Sequence, residues 1–175
     1  GDDVVPVDGS TADSRRKARA IVDHKWVETD WTLALAMRTS RFWLLMISFI
    51  GGLYVWYAVQ VHQTRYLIDT GFTRDVAALA LGLVSLGGVL GQIWIGQFSD
   101  RMGREWAWTL SGIGFLLTYA ALYLLRLWPE PWLMYAMVLV QGALGYGLAS
   151  VFGSVPADLF AGRRYGQIFG VLAAA

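Results

Sequence analysis

The 175-residue chain contains neither cysteine nor asparagine. Without cysteine there is no disulfide framework, no thiolate nucleophile and no thiolate-bound metal. Without asparagine there is no N-glycosylation acceptor. Histidine occurs only at His24 and His62, which are far apart in sequence and join no ligand cluster, so no metal is expected. Charge is also scarce: Asp, Glu, Lys and Arg make up 15% of residues, against about 25% in soluble domains. No basic face on a folded domain stands out, which argues against nucleic-acid binding. No nucleophile–base–acid set stands out either, so neither an enzyme nor a cofactor is expected. Gly142-x-x-Gly145-x-Gly147 lies inside an apolar run with no strand before it, so it is not a dinucleotide loop.

What the chain has is apolar length. It is 56% hydrophobic, with a mean hydropathy of +0.46. A helix needs about 20 apolar residues to cross a bilayer core. Runs at about 42–61, 76–98, 106–125 and 132–157 meet that length, and a further run starts at 165. The fold class expected is an all-α membrane protein with about four full transmembrane helices and the start of a fifth. Residues 1–30 are polar and weakly patterned, as in a flexible linker. Trp31 to Ser40 suits a short interfacial helix with Asp30 as its N-cap. His62 to Asp75 reads as a loop turning at Gly71-Phe72, with Thr73 capping the next helix. Gly87 and Gly91 share a face and suit close helix packing. Pro156 predicts a kink in the fourth span. The chain opens Gly1-Asp2-Asp3 and stops at Val171 to Ala175 inside an apolar run, so the expectation is a fragment cut at both ends.

Charge sets the expected orientation. Of the 14 Lys and Arg, seven precede or include Arg41, and Arg101, Arg104, Arg163 and Arg164 lie in two later turns. Arg65, Arg74 and Arg126 lie on the other side. The positive-inside rule places residues 1–41 and the loops 99–105 and 158–164 in the cytoplasm.

Between the second and third spans lies Gly96-Gln97-Phe98-Ser99-Asp100-Arg101-Met102-Gly103-Arg104-Glu105. Read physically, Gly96 removes a side chain where a neighbouring helix could touch, and Gly103 permits a tight turn. Asp100 and Arg104 are four apart and pair if the segment is helical. Such a joint can latch helices in one state and release them in another, or be a plain basic turn.

Gly96-x-x-x-Asp100-Arg101-x-Gly103-Arg104 resembles the loop motif of the major facilitator superfamily, departing at Glu105, where that family usually has a second basic residue. Arg41-Phe42-Trp43-Leu44-Leu45 looks like the entry to that family's seventh helix. Ala157-Asp158-Leu159-Phe160 with Gly162-Arg163-Arg164-Tyr165-Gly166 resembles the turn between its tenth and eleventh. The resemblance covers Trp31 to Ala175, and its tone is most similar to the monocarboxylate and oxalate–formate antiporter-like branch. It implies a C-terminal transporter half, 31–175, in a bacterial inner (plasma) membrane. The N-terminal half of the same chain, the bilayer, a small solute and a coupling ion would be its partners. Anion carriers of that branch place a charged residue in helix eight, whereas 76–98 has none.

Polar groups within a membrane tend to face a bundle interior or cavity. In the family that is resembled, helices seven and ten line the cavity. That points to Tyr54, Tyr57, Gln60, Gln141 and Tyr146 as substrate-cavity candidates. His62 is the one group near the membrane that titrates near neutrality, and it is the candidate for proton linkage. Gly96, Asp100, Arg101, Gly103 and Arg104 form the conformational motif. The function expected is secondary transport of a small solute, an organic anion or similar metabolite, by alternating access. The rival is a non-transporting membrane scaffold or sensor built on the same fold.

Overall fold

A computed structural model describes residue 26 and residues 29–174. Among these the chain is helical: α1 is Leu33–Ala36, α2 Ser40–Asp69, α3 Arg74–Met102 and α4 Arg104–Leu127. α5 is Pro131–Ala143, a 3-10 turn spans Gly145–Gly147, α6 is Leu148–Phe152, α7 Ser154–Leu159 and α8 Tyr165–Ala173. Four stretches are long and apolar enough to cross a membrane: α2, α3, α4 and the broken rod Pro131–Leu159.

Helices run further than apolar length alone suggests. The expected loop 62–75 is mostly helix, because α2 continues to Asp69. Its last turns are polar outside but keep a buried stripe at Val59, Gln63 and Leu67. Arg65 and Asp69 pair across one turn at 3.0 Å. Thirty residues make a rod of about 45 Å, longer than a hydrocarbon core and similar to a whole bilayer. The helix closes when the Gly71 N–H donates to the Ile68 carbonyl and the Phe72 N–H to that of Leu67. Thr73 then caps α3 by accepting from the Val76 N–H at 3.4 Å. At the front of the chain the cap is Thr32, not Asp30. The Thr32 hydroxyl accepts from the Leu35 N–H, and the short helix covers only Leu33–Ala36.

The segment 96–105 is also helix, not loop. Ser99, Asp100 and Arg101 continue α3, and Gly103 alone interrupts the rod before Arg104 opens α4. Gly103 sits at φ 106°, ψ 156°, a region essentially reserved for glycine. A Cβ there meets open space, so the obstacle is torsional. Gly103→Ala should therefore destabilise the full-length protein by about 1–3 kcal/mol. Gly112→Ala, at a helical glycine that also faces open space, should not. Thermal melts in detergent compare the two, and equal melting temperatures would remove the strain argument.

The fourth span is interrupted at Gly153, between α6 and α7 and three residues before Pro156. Another break, not expected from the sequence, lies at 144–147: the ladder ends with the Leu144 N–H on Val140 O and is replaced by the Gly147 N–H on Leu144 O. Pro156 is near the start of α7, where a missing N–H costs little. The break at 144–147 is tolerated because it is packed on two sides. A Cβ on Gly147 would stand 2.5 Å from Ile95, and one on Gly114 would stand 2.5 Å from Leu144. The bundle's closest seam joins α3 to α5. There the Gly142 and Ala143 carbonyls lie against Gly91, and Gly87 touches Gly142. Two tyrosines tie α2 to α4: Tyr66 Oη donates to Leu122 O and Tyr119 Oη to Val55 O. Large apolar side chains such as Leu44, Ile47, Leu86, Leu90, Leu116 and Leu139 stay exposed, as lipid-facing surface does.

Candidate functional site

Arg104 is the centre of a three-way junction. It opens α4 one residue after the Gly103 break, so its guanidinium turns back along the end of α3. Its Nη1 donates to Asp100 Oδ1 at 2.7 Å and to Ser99 Oγ at 3.0 Å. Its Nε donates to Asp158 Oδ2 at 3.2 Å, 54 residues away in α7. One planar group with several fixed donors thus holds three helix ends. The side chain of Arg104 is 34% exposed, and those of Asp100 and Asp158 are 68% and 59% exposed. Exposed pairs contribute about 0.2–1 kcal/mol each, so the junction is worth on the order of 1–2 kcal/mol. That magnitude can bias a conformational equilibrium without freezing it.

Sequence reading named Asp100 and Arg104 as a pair but left Asp158 out of the site. Its place in the Ala157–Phe160 match and in a polar turn after the fourth span is the signal that could have found it. Arg101 is exposed and makes no ion pair among the described residues. Gly96 faces α6, with Ser150 Cβ 3.9 Å from where a side chain would begin.

The cavity candidates divide into groups. Tyr54 and Tyr57 project from α2 and are 73% and 57% exposed. Gln141 is fully buried in α5, and neither atom of its amide is paired among the described residues. Gln60 Oε1 is likewise buried and unpaired. Tyr146 lies in the broken turn, wedged between Gly88 of α3 and the edge of Trp56, whose ring centroid is 5.7 Å away. Trp56 in turn lies 5.3 Å from Tyr57.

Trp56 is not among the sequence candidates, yet it joins two of them, and its indole N–H is buried without a partner among the described residues. It also lines a cavity of about 350 Å³ with Leu53, Tyr57, Leu148, Ala149 and Phe152. Gln63 is not among the sequence candidates either; it is 1% exposed, and among the described residues its amide meets only the Met137 sulfur, at 3.9 Å. His62 is exposed within α2, about two turns before its end, rather than in a loop. It borders a separate crevice with Tyr66, Tyr119 and Tyr123. Among the described residues no group of His, Asp or Glu is arranged to hold a metal.

The Major Facilitator Superfamily matches residues 4–175. The chain belongs to that superfamily. A curated relative, the "Uncharacterized MFS-type transporter YhjX" of Escherichia coli (strain K12), is 28% identical over 151 residues. The alignment covers 83% of this chain and 36% of the relative, so the chain spans well under half of that protein's length. No solved structure matches the chain.

Superfamily membership and four apolar helices make this an integral membrane protein. In a bilayer no bulk water satisfies a stray polar group, so the buried Gln60, Gln141 and Trp56 atoms that lack a partner among the described residues are costly where they stand.

Proposed function

We propose that this superfamily member is part of a secondary transporter for a small solute, an organic anion or similar metabolite. The observation that carries the reading is the Arg104 junction. It fastens the ends of α3, α4 and α7 through exposed, breakable ion pairs, as alternating access requires of a state-dependent contact. Its loop position fits the cytoplasmic side of a bacterial inner membrane, with residues 1–41, 99–105 and 158–164 on that side. The rocking partner is the N-terminal half of the same chain. Similarity to the monocarboxylate and oxalate–formate branch supports an anionic cargo.

In this proposal Tyr54, Tyr57, Gln60 and Tyr146 line one wall of the solute path, joined by Trp56, with Gln141 buried behind it. The wall holds no fixed positive charge, since 42–61 and 132–157 contain no Lys or Arg. Neutral hydroxyl, amide and indole donors orient the cargo here, and a fixed countercharge belongs to the other half. A coupling ion, where protons serve, acts at His62.

Counterflow in vesicles holding the full-length protein tests the reading against a scaffold or sensor. Preloaded organic acids should accelerate entry of the same labelled acid, and a proton gradient should drive uptake that His62→Gln abolishes. No exchange with any small acid or sugar from correctly inserted protein would favour the scaffold. Gradient-driven uptake that survives His62→Gln would remove the histidine's role alone.

A further inference from the structure

Two tryptophans before α2 grip the end of α7, immediately beside the Arg104 junction. The Trp26 indole N–H donates to Leu159 O at 2.6 Å. Leu159 is the last residue of α7, so this carbonyl lacks an intrahelical donor, and the indole serves as its cap from 133 residues away. The Arg41 guanidinium, in the first turn of α2, lies 3.9 Å above the Trp26 ring. The Trp31 indole N–H donates to Trp26 O at 3.0 Å, and its ring meets Phe160 edge-on at 5.3 Å. Trp31 is 5% exposed and Phe160 fully buried. Asp158, Leu159 and Phe160 are consecutive: the first accepts from Arg104, and the next two are held by the tryptophans.

We infer that Trp26 and Trp31 form a strap that fixes the end of α7 so that Asp158 stays within reach of Arg104. The segment ahead of α2 thereby controls how often the junction is closed. The consequence for transport rests on the proposed alternating-access role of Arg104; the strap itself does not. The arithmetic favours a strap over passive contact. An exposed Arg–Asp pair cannot by itself hold a six-residue helix end in place. A charge-supported indole hydrogen bond and two aromatic contacts together outweigh it.

The test uses the full-length protein in lipid nanodiscs, with cysteines elsewhere replaced and spin labels at Met102→Cys and Ala161→Cys. Electron–electron distance measurements read whether the two helix ends stay together. Trp26→Ala should add a second, longer distance and cut the closed-to-open ratio about tenfold. Trp26→Phe, which keeps the ring under Arg41 but removes the N–H, should give a smaller shift. Trp26→Ala should add nothing further once Arg104→Ala is present. An unchanged distribution, or mere broadening without a second distance, in both Trp26 variants overturns the strap. If Trp26→Ala fails to insert, Trp26→Phe and Trp31→Phe carry the same comparison. Arg104→Ala alone tests the junction: if it changes nothing while Trp26→Ala does, the strap stands and the junction's conformational role falls.

Discussion

Gly91→Val is expected to abolish the folded protein. An ideal Cβ on Gly91 stands 2.3 Å from the Gly142 carbonyl oxygen and 2.8 Å from that of Ala143. Both atoms are backbone, so no side chain can swing away. Relief requires α3 and α5 to separate, and they form the closest seam of the bundle. Overpacking a core commonly costs about 1–3 kcal/mol even when side chains can adapt. Here the cost extends along the seam, because Gly87 and Gly142 touch one turn away. Carbonyls against a glycine Cα in lipid also gain weak C–H···O contacts, which separation forfeits. Size-exclusion of the full-length variant in detergent should show loss of the monodisperse peak. Gly82→Ala is the matched control, since its Cβ meets nothing within 4 Å. A normal peak and melting temperature for Gly91→Val would mean that the seam is looser than its geometry indicates.

That seam shows where the sequence was legible and where it was not. Gly87 and Gly91, four apart in an apolar run, announce a packing face, and the structure uses that face. Hydropathy also finds the four spans, because hydrocarbon length is what it measures. It does not find their ends. His62 to Asp69 is polar, yet it continues as helix through a buried stripe and an Arg65–Asp69 pair. Nor does it find the break at 144–147. A glycine that lets helices touch and a glycine that lets one stop look alike in an apolar sequence, and here Gly142 and Gly145 stand three apart doing different things.

Long-range partners were the least visible. Asp100 and Arg104 are four apart, so their pairing follows from helical spacing. Asp158 is 54 residues from Arg104 and Trp26 is 133 from Leu159. No local periodicity connects them, and only the folded bundle brings α7 to both. The buried Oε1 of Gln60 and amide of Gln141, unpaired among the described residues, are similar: a glutamine in an apolar run signals a polar role, not the absence of a partner.

Arg104→Ala should lower solute exchange by the full-length protein about tenfold or more while leaving membrane insertion intact. The loss comes from two sources. The donors that join Asp100, Ser99 and Asp158 disappear, which removes on the order of 1–2 kcal/mol from one conformation. Two carboxylates that shared one cation then face each other uncompensated, which pushes the helix ends further apart. A two-state carrier biased by that amount spends roughly ten times less time in the state that the junction holds. Arg104→Lys should restore only part of the rate. A lysine is a single point of charge and cannot reach both carboxylates with the fork that guanidinium provides. Asp100→Ala and Asp158→Ala should each lower exchange less than Arg104→Ala, because the arginine keeps one partner. Combined, they should be non-additive, since they share one cation. The melting temperature should move little in all of these, because the groups are substantially exposed. Wild-type exchange by correctly inserted Arg104→Ala would reduce the junction to a positive-inside turn, with Asp158 a bystander.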